Sequence, residues 1–112
     1  MKVLLISPPH HNMLPPPEPA SLEEEEGTYP PLGLMYIAAY LEKYSNHKVE
    51  ILDTQVDNLS YEEIENIIRK KSPDIVGIQA TTFTLKDANL TANLTKKINK
   101  DIHVCIGGPH ID

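Results

Sequence analysis

A short, mostly apolar run at residues 75–80, Ile-Val-Gly-Ile-Gln-Ala, constrains the fold of this 112-residue chain more than any other feature. A continuous run, rather than an alternating one, is typical of a strand buried on both faces of a helix-covered parallel sheet. It leads directly into Thr81, Thr82, Phe83 and Thr84. Such hydrogen-bonding groups at the carboxyl end of an interior parallel strand stand where open α/β sheets bind ligands. We therefore predict a central strand followed by a binding loop.

Strands and helices alternate along the whole chain. Apolar runs predict the strands, and apolar residues spaced three and four apart predict the helices. With right-handed crossovers, this alternation gives a three-layer, Rossmann-like (flavodoxin-like) α/β fold with a parallel sheet of strand order 2-1-3-4. The predicted strands are residues 3–7, 48–53, 75–80 and 103–106, and the predicted helices are residues 32–44, 60–71 and 86–99.

The helices also carry packing and capping signals. Ser60 and Glu63 form a capping-box pattern, which satisfies two amide donors at a helix start. Thr84 and Asp87 resemble a second capping pattern, although the apolar residues that follow recur with a period of two. The predicted packing stripes are Leu34, Ile37, Ala38 and Leu41 in the first helix, and Tyr61, Ile64, Ile67 and Ile68 in the second.

Length and composition limit the class of protein. A chain of this length forms one small domain, residues 1–112. The formal charge is −6 and no basic cluster occurs, which argues against nucleic-acid binding. The single cysteine, Cys105, excludes an internal disulfide and fits a reducing compartment. The apolar start is too short for a signal peptide and no segment is long enough to span a bilayer, so we expect a cytoplasmic protein.

The segment of residues 8–31 separates the first strand from the first helix. It holds eight of the ten prolines and a run of four glutamates, so it does not form a buried regular element. Loops of this length are usually functional or disordered, and its place at the ligand edge of the sheet favours a functional loop. His10 and His11 lie in it, but adjacent histidines without a carboxylate or Cys partner lack the spacing of a metal site.

Three loops are predicted to leave the carboxyl edge of the sheet near its middle. Glycine there lets a flat ligand lie close to the backbone, and hydroxyl groups can bind its polar atoms. Alone, the Thr run is explained by helix capping and the Gly pair by a tight turn. Together on one edge of the sheet, the two features favour a ligand-binding site. The candidate binding residues are Ser7, Pro8, Pro9, Thr81, Thr82, Phe83, Thr84, Gly107, Gly108, Pro109 and His110.

No catalytic constellation accompanies these residues. Cys105 lies inside a predicted strand and is interpreted as a small packed hydrophobe rather than a nucleophile. The chain has no Ser–His–Asp set, no glycine-rich dinucleotide motif and no phosphate-binding loop. We predict neither catalytic residues nor a protein metal site within it.

Several of these motifs resemble the N-terminal cobalamin-binding domain of class B radical S-adenosylmethionine enzymes. The group most similar is the anaerobic magnesium-protoporphyrin IX monomethyl ester oxidative cyclases, with their methyltransferase relatives. The resemblance implies a cobalamin across the carboxyl edge, with residues 81–84 and 107–108 near its lower face and nucleotide tail. The residues that carry it are Ser7-Pro8-Pro9, Pro30-Pro31-Leu32-Gly33-Leu34, the helical segment 36–42, residues 73–78 and Gly107-Gly108-Pro109-His110.

Two departures refine that resemblance. Cobalamin domains of the methionine synthase kind carry Asp-x-His-x-x-Gly, whose histidine ligates cobalt; here Pro8 and Pro9 stand where aspartate is needed before His10 and His11. We therefore expect cobalamin without histidine on cobalt. The chain also lacks Cys-x-x-x-Cys-x-x-Cys. The resemblance thus implies that S-adenosylmethionine and a 4Fe-4S cluster belong to a missing C-terminal radical domain of the parent oxidoreductase or methyltransferase.

The end of the chain leaves two structural alternatives. A five-stranded sheet needs a further helix, strand and helix after residue 112, so we expect either a domain truncated before its fifth strand or an exposed fourth strand. An exposed edge would favour self-association.

Two other functions are alternatives to that of a cofactor-binding module. A phospho-receiver domain needs acidic residues where this chain has Ser7 and Gln79, and is set aside. A docking scaffold of the same fold that has lost its ligand stays open, because binding here would rely on backbone and small side chains.

Overall fold

A computed structural model of the protein describes residues 1–9, 32–55, 58–81 and 84–107. Within these ranges four strands alternate with three helices. No helix in this part of the chain is both long and apolar enough to cross a membrane. The elements are β1 (Lys2–Ser7), α1 (Leu32–Tyr44), β2 (Lys48–Asp53), α2 (Tyr61–Lys71), β3 (Ile75–Gln79), α3 (Leu85–Ile98) and β4 (His103–Gly107).

The strands form one parallel sheet in the order β2-β1-β3-β4, which confirms the predicted fold. Leu5 lies between Ile51 of β2 and Gly77 of β3, and Gly77 in turn faces Cys105 of β4. β1 and β3 are therefore the interior strands, and their carboxyl ends meet at the same edge. That edge is where a doubly wound sheet binds ligands.

One face of the sheet is closed by α2 and α3. Leu4 and Ile6 of β1 and Val76 and Ile78 of β3 are all 2% exposed or less, and they pack in one apolar cluster. Its helical and loop members are Ile64, Ile68, Ala88 and Ile102. The burial of these aliphatic side chains is the main favourable contribution to folding.

The described residues cover the other face only in part. Val3 and Leu5 pack against Leu34 and Ala38 of α1. β1 is consequently buried on both faces, whereas β3 is half-buried on this one and Cys105 of β4 is exposed. The prediction that residues 75–80 are buried on both faces is therefore wrong for this side, because α1 packs over β1 and β2 and makes no comparable contact with β3.

The packing stripe predicted for α1 needs one correction. Leu34 and Ala38 are buried and Leu41 is half-buried, but Ile37 is 49% exposed. The helix is turned so that Ile37 stands at the rim of its contact with the sheet instead of inside it. In α2 the predicted stripe is confirmed, with Ile64 and Ile68 fully buried.

The start of α2 is fixed by the predicted capping box. The backbone N–H of Glu63 donates to Ser60 Oγ (3.2 Å), and the N–H of Ser60 donates to Glu63 Oε1 (3.2 Å). We expect Ser60→Ala to lower the free energy of unfolding by about 1 kcal/mol, since it removes the acceptor of an end amide. Urea unfolding of Ser60→Ala beside Ser60→Thr, which keeps the oxygen, measures this. Equal losses in both variants would contradict a capping role.

The buried side of α3 is polar, which the sequence analysis did not predict. Asp87, Thr91 and Thr95, spaced by four residues, are each 0% exposed. The hydroxyl of Thr91 donates to Asp87 O and that of Thr95 donates to Thr91 O, both at 2.8 Å. Both buried hydroxyls therefore have a hydrogen-bond partner in the backbone of their own helix. The Asp87 carboxylate accepts a hydrogen bond from Tyr61 of α2. This polar stripe explains why the apolar residues of α3 lack a helical period.

Candidate functional site

The exits of β3 and β4 lie side by side at the carboxyl edge. The backbone N–H of Ala80, the residue after β3, donates to the carbonyl oxygen of Gly107 at 2.7 Å. Thr81 is the next residue, so this half-buried hydroxyl and the last residue of β4 belong to one edge of the sheet. Two of the three predicted loops are thereby brought together where the described residues show them.

The exit of β1 is tied to the turn after β2. The backbone N–H and the hydroxyl of Thr54 both donate to Ser7 O, at 3.3 and 2.7 Å. Gln55 Nε2 donates to Pro8 O at 2.9 Å. Ser7, Pro8 and Pro9 are themselves buried. These predicted site residues are therefore held in place by the protein, and the carbonyl groups of Ser7 and Pro8 are already hydrogen-bonded.

The loop between β3 and α3 is closed by a pair of threonines. The backbone N–H of Thr81 donates to Thr84 Oγ1 (3.1 Å), and that of Thr84 donates to Thr81 Oγ1 (3.3 Å). The two hydroxyls lie 3.0 Å apart. Thr84 is at the N-cap position of α3, but its side chain does not cap the helix, so the predicted capping pattern with Asp87 is wrong. Its hydroxyl instead contacts Thr81 at the start of the loop that follows β3.

A cavity of about 700 Å³ runs along the less covered face of the sheet, beside α1. It reaches from the amino ends of the strands to Gln79 and Gly107 at the carboxyl edge. Aliphatic side chains and glycine backbone make up most of its wall. The lining residues are Val3, Leu5, Gly33, Leu34, Ile37, Leu41, His47, Ile75, Gly77, Ile78, Gln79, Cys105, Ile106 and Gly107.

Two glycines shape this cavity in different ways. A Cβ built on Gly77 would come within 2.8 Å of Leu5 Cδ2, so a side chain there would compete with the packing of β1. A Cβ built on Gly107 would meet no atom within 4 Å, which leaves the carboxyl end of the cavity open. Gly107 is among the residues predicted from the sequence, whereas Gly77, Gln79 and Cys105 are not. The small residue types at neighbouring positions of β3 and β4 were the available signal.

The remaining predicted site residues fall outside the described ranges. Their grouping with Gly107 on the carboxyl edge stays a prediction. The residues outside the described ranges are Thr82, Phe83, Gly108, Pro109 and His110 of the site, and His10 and His11 of the first loop.

Within the described ranges, no cluster of three or more His, Cys, Asp or Glu side chains is suited to hold a metal ion.

A parallel α/β sheet with an apolar cavity opening at its carboxyl edge is the arrangement in which open α/β domains bind ligands. Residues 22–112 match the model of the B12-binding domain. The chain belongs to the B12-binding domain family. No solved structure matches the chain significantly.

Curated relatives agree with this assignment. An uncharacterized methyltransferase of Pyrococcus horikoshii is 41% identical over 112 residues, which cover 99% of this chain and 22% of the relative. The anaerobic magnesium-protoporphyrin IX monomethyl ester cyclase of Rubrivivax gelatinosus is 33% identical over 87 residues, or 78% of this chain and 16% of the cyclase. The corresponding cyclase of Cereibacter sphaeroides is 26% identical over the same length. The matched residues span 22% of the length of the first relative and 16% of that of the second.

Proposed function

We propose that this domain binds cobalamin across the carboxyl edge of the sheet and receives the nucleotide tail in the cavity beside α1. The single observation that carries the proposal is the cavity, which is open at the edge where Gly107 ends β4. The family to which the chain belongs indicates which cofactor it binds. The cavity supports the proposed location of that cofactor.

The chemistry of the cavity fits the cofactor. Cobalamin combines a wide, flat corrin ring with a nucleotide tail that ends in an apolar heteroaromatic base. A pocket of about 700 Å³ is of the size that encloses small ligands. Its aliphatic wall suits the base, and Gln79 at the carboxyl end offers an amide for the polar part of the tail. We place the corrin ring over the carboxyl edge, outside the cavity.

The residues of the edge would bind and orient the cofactor rather than react. Ser7, Pro8 and Pro9 form a buried wall on one side, and Thr81 and Thr84 brace the loop on the other. Thr82, Phe83, Gly108, Pro109 and His110 complete the proposed binding set. Bound cobalamin supplies alkyl-transfer and redox chemistry at cobalt. The protein contributes position and exclusion of water.

The rest of the proposed function concerns a larger protein. We infer that the domain serves a cytoplasmic radical S-adenosylmethionine enzyme, either a methyltransferase or an oxidative cyclase. Two facts support this: the printed names of the relatives, and the small share of each relative that the chain covers. S-adenosylmethionine and a 4Fe-4S cluster would then be bound by another part of that enzyme.

Titration of the purified chain with hydroxocobalamin tests the binding proposal. We expect a saturable change in the visible spectrum and co-elution of cobalamin with the protein on gel filtration. Absence of both would contradict cofactor binding and favour a docking scaffold of the same fold.

The same titration tests the axial ligand of cobalt. Because proline occupies the place of the aspartate that would support a ligating histidine, we expect His10→Ala and His11→Ala to leave the spectrum of the bound cofactor unchanged. A nitrogen-ligated spectrum that disappears in either variant would refute this prediction.

A further inference from the structure

The carboxyl edge of the sheet divides into two halves between β1 and β3. β1 stays paired with β2 through its last residue, Ser7, and β3 stays paired with β4 through its last residue, Gln79. Between β1 and β3 the register ends one residue earlier, at Ile6 and Ile78. The strand order also reverses here, since β2 lies on one side of this pair and β4 on the other. Open α/β sheets bind ligands in the crevice at such a switch point.

The β1–β2 half of the edge is connected to the start of α2. Thr54 is 0% exposed and donates to Ser7 O through both its N–H and its hydroxyl. The N–H of Leu59 donates in turn to Thr54 O at 3.1 Å. Ser60 then caps α2, whose first residue is Tyr61. The position of Tyr61 is therefore coupled to the exit of β1.

The β3–β4 half is connected to the start of α3. Ala80 N–H, just after β3, donates to Gly107 O at the end of β4. The next residue, Thr81, exchanges backbone-to-hydroxyl hydrogen bonds with Thr84. Thr84 is the N-cap residue of α3, and Asp87 lies in the first turn of that helix. The position of Asp87 is therefore coupled to the exits of β3 and β4.

Tyr61 and Asp87 join the two halves. The phenol of Tyr61 donates to Asp87 Oδ1. Asp87 is 0% exposed, and Tyr61 is half-buried against the core between the sheet and the two helices. A hydrogen bond away from water is stronger than one in water, and breaking it leaves a buried polar group without its partner. The contact thus holds the starts of α2 and α3 at a fixed separation.

We propose that Tyr61 and Asp87 are positioning residues for the ligand site at the carboxyl edge. Their hydrogen bond keeps the crevice between Ser7 and Gln79 preformed, and it holds the start of α3 so that the threonine pair before it stays closed. A preformed site binds more tightly because less of the chain has to be ordered by the ligand. The inference rests on the proposed function in taking cobalamin as that ligand, whereas the restraint of the threonine pair does not depend on it.

Amide hydrogen exchange of the ligand-free chain measures the restraint directly. Tyr61→Phe keeps the ring and removes the hydroxyl. We expect the amides of Thr81 and Thr84 to exchange roughly five- to tenfold faster in this variant, because losing one hydrogen bond favours local opening by about that factor. Unchanged exchange at both threonines would overturn the proposal.

Ile68→Val is the matched control for a general loss of stability. It thins the same core near the other end of α2, where Ile68 is 0% exposed. We expect faster exchange of the Val76 amide in the middle of β3, which opens by global unfolding, and no change at Thr81 or Thr84. Equal acceleration of the two threonine amides in Ile68→Val and Tyr61→Phe would overturn the proposal.

Thr84→Val tests whether Tyr61 acts through the threonine pair. The variant keeps the shape of the side chain and removes the oxygen that accepts from Thr81 N–H, so the Thr81 amide should exchange faster. Adding Tyr61→Phe should then raise that rate by less than about twofold, because both changes release the same loop. Full multiplication of the two single effects would show that Tyr61 and Thr84 act independently, against the proposal.

Titration with hydroxocobalamin tests the consequence for binding. Tyr61→Phe should bind about three- to tenfold more weakly, as when a third to a tenth of the molecules keep the binding geometry. Ile68→Val should bind as the wild type does. Equal dissociation constants in Tyr61→Phe and the wild type would refute the positioning role.

The two proposals fail in different ways. A wild-type chain that binds no cobalamin would refute the proposed function, and the exchange rates of Thr81 and Thr84 would still decide whether Tyr61 and Asp87 hold the edge. Circular dichroism checks that each variant is folded. An unfolded Tyr61→Phe chain would assign the contact to general stability and overturn the positioning role.

Discussion

Gly107→Leu should weaken cobalamin binding by about ten- to a hundredfold, as expected when a bulky side chain is forced into an occupied space. Gly107 ends β4 at the open end of the cavity, and a Cβ built there meets no protein atom within 4 Å. The described residues therefore leave space next to the Cβ position of residue 107. A ligand lying across the carboxyl edge would collide with a leucine there. Spectroscopic titration of wild type and variant with hydroxocobalamin gives the ratio of the two dissociation constants.

His103→Leu is the matched control for this result. It adds the same side chain to the same face of β4, at the amino end and outside the cavity lining. We expect it to bind cobalamin as the wild type does. Equal weakening in both variants would show that leucine on β4 disturbs the sheet generally. Unchanged binding in Gly107→Leu would place the cofactor elsewhere.

Asp87→Ala should lower the free energy of unfolding by on the order of 2–3 kcal/mol, the cost of removing a partner from a buried hydrogen bond. The Asp87 side chain is 0% exposed and accepts a hydrogen bond from Tyr61, which joins α3 to α2. A loss of this size is a large share of the roughly 5–15 kcal/mol that stabilises a typical domain. Urea unfolding measures it.

Two further variants separate the contact from the general cost of altering α3. Asn89→Ala changes an exposed position of the same helix and should cost less than about 0.5 kcal/mol. Tyr61→Phe removes the donor of the hydrogen bond. If Asp87 and Tyr61 act together, the double variant costs less than the sum of the two single ones. Strict additivity would show that the hydrogen bond contributes nothing to stability.

The fold was predictable because it depends on local patterns that agree with one another. The apolar runs marked every strand to within two residues, and Ser60 with Glu63 marked the start of α2. The packing of individual side chains was less predictable from the sequence. α3 can bury Thr91 because its hydroxyl donates to the helix backbone, and Asp87 because its carboxylate accepts a hydrogen bond from Tyr61. Hydrophobic periodicity predicts neither.

The site was predictable only as a location. Strand order alone brings the end of β3 beside that of β4, so the neighbouring positions of Thr81 and Gly107 were predictable from the sequence. The cavity was not found, because it results from how far α1 extends across the sheet. Gly77 and Cys105 have a role in it that depends on tertiary packing. Hydrophobic periodicity does not indicate how far α1 extends across the sheet.

If cobalamin occupies the cavity beside α1, as proposed, the thermal stability of the domain depends on cofactor supply. The described residues leave a volume of about 700 Å³ there unfilled. A ligand that binds only the native state adds about 2.7 kcal/mol of stability at a hundred times its dissociation constant. The melting temperature of this domain would then report the free cobalamin concentration. Starvation for the vitamin would shorten the lifetime of the folded chain as well as empty its site.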